Sequence, residues 1–151
     1  MNPTASRITR SPRLLRLRAL TLVHLVLLIP LVVPADTEGP YTYTLSADNK
    51  ATITKYNGPG GVVFIPSTLG GYTVTSVGGW SFYGCSSLTS VTIPSSVTYI
   101  GDSAFSRCTN LTAVAIPSSV TNIGRWAFLG SFSLTAIIIP ASVTNIGDLA
   151  F

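Results

Sequence analysis

Leu88–Asn110 reads LTSVTIPSSVTYIGDSAFSRCTN. The phrase returns at Leu111–Ser133 as LTAVAIPSSVTNIGRWAFLGSFS and again from Leu134 as LTAIIIPASVTNIGDLAF, which runs to Phe151. The three leucines stand 23 positions apart. A period in the 20–29 range marks a stacked solenoid, in which no single coil can bury its own apolar face and neighbours must close it. Residues 23 apart are therefore expected one above the other.

Stacking turns the sequence into columns. Val63, Val91, Val114 and Ile137 form one, and Ile65, Ile93, Ile116 and Ile139 lie two residues on. Spacing of two in a β-branched run makes a strand with both residues on one face. Pro66, Pro94, Pro117 and Pro140 follow at once and end each strand, because proline has no N–H for a ladder. Val74, Val97, Val120 and Val143, then Val77, Ile100, Ile123 and Ile146, predict a second short extended segment. Gly78, Gly101, Gly124 and Gly147 point to a turn with positive φ or a close backbone approach. Next come a small column, Ser81, Ala104, Ala127 and Ala150, and a large one, Phe82, Phe105, Phe128 and Phe151. Both are expected on a short helical turn, with the phenylalanines plugging the core.

The first coil is irregular. Ile65 and Ile93 are 28 apart, so five residues, Leu69–Thr73, are inserted, and a Gly-rich insertion predicts a surface loop. Before it, two alternating segments flank Ser46–Lys50 within Tyr41–Tyr56 and predict a β-hairpin that caps the array. Residues 36–40 read as a flexible spacer, residues 36–61 as spacer plus cap, and residues 62–151 as about four coils, the last incomplete. An open last coil would expose apolar columns and a strand edge, so self-association is expected.

The formal charge of +4 is set by the first 35 residues. Arg7, Arg10, Arg13, Arg16 and Arg18 precede the apolar run Ala19–Val33, and Val33-Pro34-Ala35 supplies small residues behind it. That order describes a secretory signal peptide, residues 1–35, with an uncleaved signal anchor as the alternative. The run is short for a membrane span, which needs about 20 apolar residues. Residues 36–151 carry four cations against five carboxylates, a net −1, so the basic balance implies neither nucleic acid nor anionic lipid as partner.

The repeated phrase L-T-x-V-x-I-P-x-S-V-T-x-I-G-x-x-A-F-x-x-C closely resembles the BspA-type leucine-rich repeat of bacterial surface and secreted proteins. The resemblance covers residues 62–151, and the hairpin and the Gly58-Pro59-Gly60-Gly61 stretch also look like the lead-in such proteins carry. Ser131, where the phrase has Cys, departs from the pattern, as does a chain that stops at Phe151 inside a coil. The resemblance implies a leucine-rich-repeat solenoid, mainly parallel β, with a right-handed parallel β-helix as the nearest alternative. It also implies an extracellular interaction module, with adhesion as one possible use and the concave strand face as the usual binding surface. A structural spacer within a longer array is the second functional reading.

Candidate partner-binding residues fall into two groups. Trp80 and Trp126 share a column with Ser103 and Leu149, and read either as packing or as aromatic anchors, since interfaces are enriched in Trp. The outward strand face carries Phe64, Thr92 and Ile138 among Val62, Ser90, Ala113, Ala115 and Ala136. Cys85 and Cys108 occupy one column. The spacing of adjacent coils permits a disulfide, while parallel side-chain directions favour two free thiols stacked in the core. Asp102, Arg125 and Asp148 alternate in sign along a column and suggest ion pairs between coils. The only histidine, His24, lies in the leader, so the remainder holds neither a Ser-His-Asp nor a Cys-His arrangement. Metal-ligand spacing and phosphate-cradling loops are also missing. An interaction protein without cofactor or metal, binding a protein or glycan, is expected rather than an enzyme.

Overall fold

A computed structural model describes residues 35–151; the leader and its proposed cleavage lie outside the described residues except for Ala35. The chain winds into a solenoid of about four coils with two parallel ladders and one face of turns. The first ladder is a three-stranded parallel sheet of β4 (Gly61–Phe64), β7 (Leu88–Thr92) and β9 (Ala113–Ala115). Val63, Val91 and Val114 are in register across it, as the period requires. The second sheet joins β1 (Asp36–Glu38), β2 (Tyr41–Leu45), β3 (Ala51–Tyr56), β6 (Tyr72–Val77), β8 (Tyr99–Ile100), β10 (Asn122–Ile123) and β11 (Asn145–Ile146). Its last four strands are the second extended segment predicted from the Val and Ile columns, paired parallel coil to coil.

β2 and β3 form the antiparallel hairpin. It does not merely lie over the end of the array. β3 pairs parallel with β6, Ala51 opposite Val74 and Ile53 opposite Val77, so the hairpin supplies a rung of its own. Residues 36–40 are not simply a spacer, because β1 pairs antiparallel with β2. The inserted Leu69–Thr73 is likewise not a loop. β5 (Thr68–Leu69) folds back on β6 around Gly70-Gly71, whose φ values of 58° and 81° suit the tightest hairpin turn. Leu69 is buried, and the Gly70 N–H donates to a Glu38 carboxylate oxygen, which ties the insertion to β1.

The interior is a spine of aromatic rings. Phe82, Phe105, Phe128 and Phe151 stack at centroid distances of 4.9, 5.3 and 5.4 Å. Tyr56 of the cap continues the stack onto Phe82 at 4.8 Å. The valine and isoleucine columns and Leu88 and Leu111 close round it, buried in the first coils and only partly so towards the last, where Ile146 and Phe151 are exposed.

The phenylalanines do not sit on a helical turn. Within each coil alternate amides point elsewhere. The N–H groups of Trp80, Phe82 and Gly84 donate to Asp102, Ala104 and Ser106 of the next coil, at 3.0, 2.8 and 2.9 Å. Those of Tyr83 and Cys85 between and after them donate three residues back, to Trp80 and Phe82. A helix as short as this run would leave its first N–H and last C=O groups without partners in its own coil. A run of turns cross-linked to the next run satisfies both sets, so the structure takes that arrangement.

One rung is missing. Ala136–Ile138 carries the strand phrase but does not join β9, leaving the first sheet at three strands and a groove of about 530 Å³ between β9 and Ala136–Ile138.

Candidate functional site

Cross-linked turns need one residue at each end of the run in the left-handed region. Trp80, Ser103, Trp126 and Leu149 hold the first position, with φ of 62°, 55°, 55° and 52°. Gly84, Arg107 and Gly130 hold the last, with φ of 70°, 59° and 75°. The conformation is uncommon for any L-residue and least tolerated by bulky ones. Two tryptophans and an arginine thus stand where glycine would relieve the backbone. The glycine column expected to carry positive φ, Gly78 to Gly147, does not carry it. It answers to the other alternative, close approach, since a Cβ on Gly101 would lie 2.5 Å from the Gly79 nitrogen.

The three strained residues converge on the turn face. Trp80, Tyr83, Ser103, Ser106, Arg107, Trp126 and Leu129 line a cleft of about 180 Å³. Trp80 and Tyr83 pack at 5.3 Å with planes inclined by 50°, and the Arg107 guanidinium lies 5.8 Å from the Tyr83 ring centre. Trp80 is 58% exposed, Tyr83 42% and Trp126 38%. Serine in the second coil leaves a notch between the two indoles, because Ser103 and Ser106 are buried at its floor. A second cleft of about 450 Å³ continues past Arg107 and Leu129 to Thr109 and the exposed Phe132. Of this cluster only Trp80 and Trp126 stand out in a sequence column. Tyr83, Arg107, Leu129 and Phe132 fall in columns of mixed character, where periodicity carries no signal.

The strand-face candidates lie elsewhere. Val62 and Phe64 are exposed on β4, and Thr92 is half-buried on β7. Ile138 is exposed but stands off the sheet, so the four-strand face expected there is three strands wide. Apart from the Ser90 and Thr92 hydroxyls, this face offers only apolar side chains and no charge.

Cys85 and Cys108 are free thiols. The Cys108 Sγ–H donates to the Phe82 carbonyl at 3.1 Å, and one coil on the Ser131 hydroxyl donates to the Phe105 carbonyl at 2.9 Å. The serine that breaks the sequence pattern thus keeps the contact. The column requires a small donor, and either group serves. Burial pushes the Cys108 thiol up to about 12, with the Cys85 thiol adding to the rise, and burial raises Cys85 too. The folded protein should therefore resist iodoacetamide at pH 8 while the unfolded chain alkylates at both thiols. Because the unfolded thiol releases its proton first, stability should fall as pH climbs from about 9. Rapid native labelling of Cys108 would show that the column is open.

Polar columns add to the ladders. Thr98, Thr121 and Thr144 hydroxyls each donate to the carbonyl of the threonine one coil earlier, at 3.4, 3.3 and 3.3 Å. Along the charged column the Asp102 carboxylate accepts from the Arg125 backbone N–H at 2.8 Å, and Arg125 approaches Asp148 at 3.7 Å. Both side chains of that ion pair are mostly exposed, so it contributes about 0–1 kcal/mol.

The family model described as BspA type leucine-rich repeat region (6 copies) matches residues 65–151. The chain belongs to the BspA-type leucine-rich-repeat family. A T. pallidum leucine-rich-repeat protein is similar at 37% identity and a TM-score of 0.71, over 76% of this chain and 54% of its own. A Bacteroides capillosus leucine-rich-repeat protein is 33% identical with a TM-score of 0.68, over 74% of this chain and 86% of its own. A Bacteroides ovatus protein of the same type is 33% identical with a TM-score of 0.64, over 74% of this chain and 31% of its own. The match thus spans about half the length of the T. pallidum protein. No curated protein matches the sequence. The BspA-type array is a repeat scaffold of the interaction-module kind, and that much of the functional reading follows from family membership.

Proposed function

We propose that this BspA-type array is an exported interaction module that binds its partner, protein or glycan, through the turn face. The observation that carries the reading is the cleft of Trp80, Tyr83, Arg107 and Trp126, three of whose residues are held in left-handed backbone. Every coil takes that backbone at the tryptophan position, Ser103 and Leu149 included, so the support lies in the large side chains that it holds out on the turn face. Exposed Trp, Tyr and Arg are also the side chains that dominate binding hot spots. The basic, apolar and small-residue order of residues 1–35 supports export to the outside or the cell surface. Adhesion is the use this arrangement serves if the partner is fixed to another cell.

Trp126→Ala should weaken capture of the partner from extracellular-matrix and cell-surface extracts by at least about tenfold, as expected for a central aromatic. Phe64→Ser on β4 should leave capture unchanged. The opposite pattern would move the site to the strand face. The spacer reading is supported by the T. pallidum and Bacteroides ovatus relatives, of whose length the match covers 54% and 31%. It predicts that neither substitution alters any binding.

A further inference from the structure

Arg107 is the one cation of the turn-face cleft and has no carboxylate partner among the described residues, where the ion pair present is Arg125 with Asp148. Asp102, five residues earlier in the same coil, is turned onto the Arg125 amide. Arg107 also occupies a position that is Gly84 one coil before and Gly130 one coil after, with φ of 59°. Glycine suits that conformation better, so an arginine there costs the fold some backbone strain. Around it stand the partly exposed rings of Trp80, Tyr83 and Trp126. Two clefts share it, one of about 180 Å³ and one of about 450 Å³.

On the reading that the turn face is the binding surface, we infer that it takes an acidic polysaccharide, with a sugar carboxylate on Arg107 and sugar ring faces against Trp80 and Trp126. Two features select a sugar over a protein, and a third selects an acidic sugar. The clefts are shallow and open, with serine at the floor, and lack the deep desolvated pocket that a protein side chain needs as an anchor. Trp80 and Trp126 lie two coils apart, which at the strand spacing is about 10 Å. Repeated platforms at that interval suit a ligand that is itself a repeating chain of rings. The guanidinium presents a planar fork that pairs with a carboxylate through two parallel hydrogen bonds. A neutral sugar would leave that fork unpaired. Arg107 against the Tyr83 face holds its charge beside the two partly exposed indoles.

The full chain should be titrated with oligogalacturonate, hyaluronan and heparin oligosaccharides, following tryptophan fluorescence at low salt. Methyl-esterified oligogalacturonate and oligoglutamate serve as comparisons. Saturable quenching by at least one acidic oligosaccharide is expected, with affinity falling as salt rises. The esterified form and oligoglutamate should bind about tenfold more weakly or not at all, the loss expected when one charged hydrogen-bonded pair is removed. Arg107→Gly should bring the same loss with an unchanged or higher melting temperature, because glycine suits the backbone. Trp126→Ala should weaken binding by about tenfold, read from the remaining Trp80 emission. No saturable binding to any of the three acidic oligosaccharides overturns the inference. So does equal binding of the ester, preference for oligoglutamate, or an Arg107→Gly protein that binds as well as the parent. If a protein partner is captured and lost in Trp126→Ala while no oligosaccharide binds, the turn-face module stands and the acidic-sugar ligand falls.

Discussion

Phe105→Ala is expected to lower stability by about 3–5 kcal/mol, the usual cost of emptying a buried phenylalanine site. Phe105 is fully buried, with Phe82 at 4.9 Å on one side and Phe128 at 5.3 Å on the other. Neither neighbour can collapse into the space, because each is held by its own coil's ladder. The substitution also strikes the middle of a quasi-one-dimensional stack, where each coil is stabilised by the two it touches. Melting should drop by at least about 10 °C and lose cooperativity, as the coils on either side part company. Phe105→Leu keeps most of the volume and should cost far less. An Ala variant that melts with the parent would mean that the ring spine is not what joins the coils.

The second large effect is expected at a glycine. In Gly101→Ala the added Cβ would lie 2.5 Å from the Gly79 nitrogen, 2.7 Å from the Gly78 carbonyl carbon and 2.9 Å from the Gly79 Cα. All three are backbone atoms, so no side chain can swing aside. The coils would have to separate locally, stretching the Gly101 N–H bond to the Val77 carbonyl, now 2.7 Å, and the Trp80 N–H bond to Asp102, now 3.0 Å. We expect a loss of about 3 kcal/mol, the upper end for overpacking a close-packed interior. Gly84→Ala is the control. Gly84 has positive φ but open space round its Cβ position, so only backbone strain of about 1–2 kcal/mol is expected. Denaturant midpoints of the two variants separate the causes. Equal losses would show that coil spacing is not set by the missing Cβ.

Periodicity made much of this architecture legible. Columns of Val and Ile are visible because burial on one face of a strand demands the same residue class every 23 positions, and the ladder register follows. Proline strand ends and the phenylalanine plug are visible for the same reason. Where the structure departs from expectation, the deciding interaction lies between coils and leaves no periodic mark. The small–large pair suggests a helical turn, but it says nothing about where its amides donate, and alternate ones donate to the next coil. The insertion Leu69–Thr73 lacks a counterpart in the other coils, so its pairing with β6 and its contact with Glu38 could not be read from columns. Ser131 looked like a lapse because Cys and Ser differ in hydropathy, although either supplies the donor that the Phe105 carbonyl takes.

The candidate site divides along the same line. Trp80 and Trp126 were conspicuous as large residues in a column otherwise held by Ser103 and Leu149. Their neighbours Tyr83 and Arg107 were not, since they join the tryptophans only when coils are stacked and the turn run is bent through left-handed residues.

Sequence alone determined the period, the inward columns and hence the solenoid, because burying apolar surface is a demand that every coil must answer in the same way. Tertiary structure alone decided the path of the turns, the rung added by the hairpin and the grouping of three rings about one guanidinium. Those depend on where each amide finds its partner in the neighbouring coil, a pairing of backbone groups that side-chain identity does not encode.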